Sequence, residues 1–134
     1  MLNTFPLLLA YGLVAPFIIR ITLGLLYLSA GYIKTFARRE TCISMFRELG
    51  STKPLFFVLT VGILELLGGV CLILGFKTQV AAIALSLLAL GFLVIKLRRR
   101  DVLKQGVSFY VLVLAMSLSL LFSGAGFLAI DLPL

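Results

Sequence analysis

Arg20 and Glu65 each stand at the centre of a long apolar run, residues 7–33 and 54–76. That placement restricts the fold more than any other feature of the chain. Uninterrupted apolar stretches of about twenty residues are what a bilayer requires of a spanning helix, and a water-soluble core does not need them. A lone charge at the bilayer midplane costs about 2.5–3.5 kcal/mol on insertion scales. Opposite charges at equal depth on neighbouring antiparallel helices offset that cost by pairing. The expected architecture is an all-α integral membrane bundle with an internal Arg20–Glu65 pair.

Composition agrees. Of 134 residues 62% are hydrophobic and 13% charged, and the mean hydropathy is +1.22, which excludes an ordinary soluble domain. There is room for about four spans and little else. A large extramembrane catalytic domain is therefore expected on another polypeptide. The chain has no histidine, which excludes bis-His haem, and no metal site is expected. Cys42 and Cys71 form no Cys-x-x-Cys motif and are expected on different sides of the midplane, too far apart to bridge. The first residues show no positive region or small-residue cleavage site, so no removable signal peptide is expected. The sequence pI of 9.9 does not point to nucleic acid, because the basic charge serves membrane topology.

Four spanning helices are expected at about 7–33, 54–76, 80–97 and 107–130, forming one domain over residues 1–134. Pro16 marks a kink or tilt in the first. The first and third links carry Lys34, Arg38, Arg39, Arg47, Lys53, Lys96, Arg98, Arg99, Arg100 and Lys104; the other extramembrane segments carry only Lys77. By the positive-inside rule the basic links face the cytoplasm of the cell membrane and both termini face outward. Between residues 36 and 50, Cys42, Met45/Phe46 and Leu49 recur at helical spacing. This predicts a short amphipathic interfacial helix between the first two spans, ended by Gly50; a solvated basic loop is the plainer reading.

Gly24 and Gly31 lie on the Arg20 side of the first helix, and Gly62 and Gly69 flank Glu65. Small residues let helix backbones approach in lipid, so these positions turn the two charged faces toward each other. The pair either locks the helices together or forms the floor of a cavity for a polar head group, a quinone ring or a proton. In the second case Arg20 and Glu65 are the catalytic candidates, and Arg20, Tyr27, Gly31, Glu65 and Gly69 the cofactor-binding ones. Tyr110, Ser117, Ser119 and Ser123 are candidates for inward hydrogen bonds. Lys34 is read as snorkelling to the head groups, and Asp131 with Lys77 as a weak outer-face pair. Arg98, Arg99 and Arg100 are a topology signal or a site for anionic lipid.

The stretch from Arg20 through Gly24, Tyr27 and Gly31 to Lys34 resembles the opening signature of the DoxX family, an Arg followed by a Gly-rich helix ending in Gly-x-x-Lys. Glu65-Leu-Leu-Gly68-Gly69, continuing to Leu74-Gly75 and Thr78, is similar to its second signature. The tail from Ser123 to Asp131 resembles the closing motif, with Ala129 in place of the usual Ser. The resemblance implies a four-helix membrane bundle. In some relatives this is the membrane subunit of thiosulfate:quinone oxidoreductase; in others it is a membrane protein tied to sulfur metabolism or redox stress.

The leading expectation is a DoxX-like membrane subunit of an oxidoreductase that binds quinone, or a similar apolar redox molecule, beside Arg20 and Glu65. It would work with a soluble or membrane redox partner, because the chain has no redox-active cluster of its own. The alternatives are a small proton-coupled transporter using Glu65, and a membrane scaffold that anchors a soluble enzyme through its basic links. The sequence is compatible with a homo-oligomer.

Overall fold

A computed structural model describes Gly12 and residues 14–123. Among the described residues there are five α-helices and no strand. They are α1 (Val14–Tyr32), α2 (Arg39–Glu48), α3 (Pro54–Leu74), α4 (Thr78–Arg98) and α5 (Val107–Ser123). α1 continues into a π-helical turn, Ile33–Ala37, closed by the Arg38 amide donating to the Ile33 carbonyl at 2.8 Å. α1 with this turn, α3 and α4 are each long and apolar enough to cross a membrane. α5 is a shorter apolar helix of 17 residues, and the rest of the expected fourth span lies outside the described residues. The apolar side chains turned outward, Leu64, Leu67 and Val70 on α3 and Leu87, Leu90 and Val94 on α4, are exposed as lipid-facing residues must be.

Local chemistry sets the ends. Pro54 opens α3, where a missing N–H is harmless. Gly75 closes it at φ 68°, a left-handed conformation that favours glycine, and Lys77 follows at φ 45° to start α4 at once. Pro16 is buried on α1, and most of the segment that a kink there would set off, residues 1–11 and 13, lies outside the described residues. α2 is the helix expected between residues 36 and 50 rather than a solvated loop. It buries Cys42 and Phe46 and ends before Gly50 at φ 86°.

The α1–α3 seam is built on glycine. A Cβ at Gly31 would lie 2.7 Å from the Gly62 carbonyl oxygen, and one at Gly69 would lie 2.9 Å from the Gly24 carbonyl oxygen. Gly24 also faces Ile73, and Gly31 faces Leu66. These contacts fix an antiparallel register, and they assign Gly31 and Gly69 to backbone packing. α4 returns antiparallel to α3, so both basic links gather at one end of the bundle, with Lys77 at the other. The core joins Leu23, Tyr27, Leu72, Ala82, Leu85, Val113 and Leu120 from four helices.

Candidate functional site

Glu65, 3% exposed, is held by Lys34 and not by Arg20. The Lys34 ammonium donates to Glu65 Oε1 at 2.7 Å and to Oε2 at 2.6 Å. The glycine register explains the choice. Arg20 lies level with residues 73–77, about ten residues or about 15 Å along the axis from Glu65. Lys34 lies only about four residues, or about 6 Å, from the level of Glu65. Side chains lean toward the N-terminus of their own helix. In an antiparallel pair this tips Lys34 and Glu65 toward each other and tips Arg20 and Glu65 apart. The expected Arg20–Glu65 pair is thus corrected. Arg20 is itself buried, 1% exposed, with its guanidinium 5.3 Å from the Phe17 ring centroid.

Lys34 stands in the π-helical turn, a feature frequent at functional sites. Its Nζ lies 5.0 Å from the centroid of the Phe92 ring, which stacks on Tyr110 at 6.1 Å. Tyr27 crosses from α1 to donate to the Leu85 carbonyl of α4 at 2.9 Å. These groups line a cavity of about 350 Å³ whose wall at the basic end of the bundle is completed by α2 and the α4–α5 link. The volume falls in the range of small-molecule pockets, and its walls are mostly apolar and aromatic with a few polar groups. The link is folded, not loose. Lys96 donates to the Leu103 carbonyl at 2.6 Å and to the Arg100 carbonyl, and Arg99 to the Glu48 carbonyl at 3.1 Å. Leu103 is buried among Cys42, Phe46, Val58 and Phe92.

Of the five residues expected to hold a cofactor, Tyr27 and Glu65 line this cavity; Gly31, Gly69 and Arg20 do not. Sequence reasoning missed Lys34, Phe92 and the α4–α5 link. The Gly-x-x-Lys ending of the first signature was the available signal for Lys34. Among the expected serines Ser117 is buried and donates to the Val113 carbonyl at 2.8 Å, while Ser119 and Ser123 point outward. Asp131 lies outside the described residues.

Cys42 lines the cavity and is unbridged, as is Cys71. Burial pushes the Cys42 thiol up, against the opposing pull of Lys34. In a Cys71→Ala background, alkylation of Cys42 at neutral pH is expected to run at least tenfold slower than in denaturant. It should accelerate as pH rises, because only the thiolate reacts. Rapid maleimide labelling at pH 7 in mild detergent would show the thiol to be open and ionised.

Several apolar helices long enough to span a bilayer, packed on a glycine seam around a buried ion pair, define a multi-pass membrane protein. The DoxX family model matches residues 15–96, and the chain belongs to that family. It is 26% identical over 118 residues to a Bacillus subtilis (strain 168) protein named "Putative oxidoreductase CatD", covering 88% of this chain and 85% of that one. No solved structure matches the chain.

Proposed function

We propose that this DoxX protein binds a quinone, or a similar apolar redox molecule, in the cavity beside Lys34 and Glu65 and passes a proton to or from it. The observation that carries this reading is a buried carboxylate–ammonium pair opening onto an aromatic-lined cavity of suitable size. Lys34 would donate a hydrogen bond to a quinone carbonyl oxygen and, as that oxygen is reduced, its ammonium proton; the Glu65 carboxylate would accept a proton from solvent and return it to the Lys34 amine. Phe92 and Tyr110 offer faces for the ring. The electrons would come from a redox partner protein, since the chain has neither histidine nor a Cys-x-x-Cys pair. The oxidoreductase name of the Bacillus relative is in keeping with this. Arg20, the ligand anchor expected from the apolar runs, has no place in this cavity. The transporter reading needs a free carboxylate, whereas both Glu65 oxygens accept from Lys34.

The same reading makes α5 the lower part of a fourth span, α2 an interfacial helix on the cytoplasmic side, and both termini external, following the charge bias of the links.

A soluble quinone analogue at a hundred times its dissociation constant is expected to stabilise the purified protein by about 2.7 kcal/mol, read as a rise in melting temperature. Ala30→Phe, which fills the cavity from α1, should remove the rise without lowering the starting melting temperature by a comparable amount. A wild-type protein with no thermal response and no co-purified quinone would overturn the proposal.

A further inference from the structure

The cavity rim carries two cations with no described counter-ion. Arg38, just after the π-helical turn, and Lys104, on the α4–α5 link, both line the cavity and are exposed. Among the described residues the ion pair is Lys34–Glu65, and neither rim cation takes part in it. Deeper in, Glu65 is neutralised by Lys34, so the mouth keeps a local excess of two positive charges. Much of the remaining lining is apolar, Leu26, Ile33, Met45 and Phe109 among it. A small polar metabolite would waste that wall, and a neutral lipid would leave the rim charges unmatched. The geometry points to an acidic phospholipid whose phosphate lies between Arg38 and Lys104 and whose acyl chain enters the cavity.

This shares the cavity with the function proposed above but none of its redox chemistry, so lipid and quinone analogue compete. Charges near a membrane surface each add roughly fivefold to the affinity for acidic lipid. Native mass spectrometry of the full chain, loaded from mixed micelles, reads retention of dioleoylphosphatidylglycerol against dioleoylphosphatidylcholine. Wild type is expected to prefer the acidic lipid. Arg38→Gln with Lys104→Gln should cut that preference about thirtyfold, whereas Arg98→Gln with Arg100→Gln, equally basic but off the cavity lining, should change it less than threefold. Ala30→Phe should weaken retention with the rim intact.

Excess inorganic phosphate or glycerol phosphate should not displace the lipid. Displacement by either would overturn the acyl-chain part and identify the ligand as a free anion. Equal loss in both double variants would reduce the effect to general surface charge, and unchanged retention in the rim variant would refute the site. A protein that retains acidic lipid but ignores the quinone analogue would sink the redox reading and leave this one standing.

Discussion

Lys34→Met is expected to destabilise the bundle by about 3–5 kcal/mol, because it leaves the Glu65 carboxylate buried at 3% exposure without its ammonium. Glu65→Gln should cost less, about 1–3 kcal/mol. The reason is positional: Lys34 is 18% exposed near the basic end and its flexible stem can carry the charge to the rim, whereas Glu65 sits mid-helix. The double variant, Lys34→Met with Glu65→Gln, should be more stable than Lys34→Met alone, since no buried charge is then left over. Denaturant titration in micelles gives all three values, and their non-additivity is the coupling of the pair. Additive losses would mean that the two groups do not interact.

The second large effect concerns the seam. Gly31→Ala places a methyl group 2.7 Å from the Gly62 carbonyl oxygen and 2.9 Å from the Leu66 amide nitrogen, both backbone atoms that cannot swing aside. α1 and α3 must separate, at a cost of about 1–3 kcal/mol. Separation also pulls Lys34 from Glu65, so Gly31→Ala should lower ligand response along with stability. A methyl group at Gly91 would meet nothing within 4 Å; Gly91→Ala is therefore expected to be neutral or to stabilise α4 by up to about 1 kcal/mol. Equal losses at both positions would show that the cost reflects helix propensity or bilayer effects and not the seam.

The helical membrane character, the link positions and the amphipathic α2 were legible because each rests on local periodicity and charge. The glycines are legible too, and they constrain more than which faces meet. Pairing Gly24 with Gly69 and Gly31 with Gly62 already fixes the antiparallel register and puts Arg20 well away from Glu65. Matching the charges by the centres of their apolar runs put them at equal depth instead. Run centres mislead because the glycine register puts the end of α3, Leu74, level with about residues 19–23 of α1, so the two run centres are not at one depth. Lys34 looked like a snorkelling residue since its position in a π-helical turn depends on backbone packing that no single-residue preference reveals. The link's share of the cavity wall is out of reach for the same reason: Leu103 and Lys104 come to the cavity only when Lys96 and Arg99 tie the link to the helix ends.

The claim on which the rest depends is that the partner of the Glu65 carboxylate is the Lys34 ammonium. Nitrogen-to-carbon dipolar recoupling in isotope-labelled protein, reconstituted in bilayers, measures this directly. Strong coupling between Lys34 Nζ and Glu65 Cδ, lost in Lys34→Met, is the predicted result. Coupling of Glu65 Cδ to the Arg20 guanidinium, with none to Lys34, would contradict it.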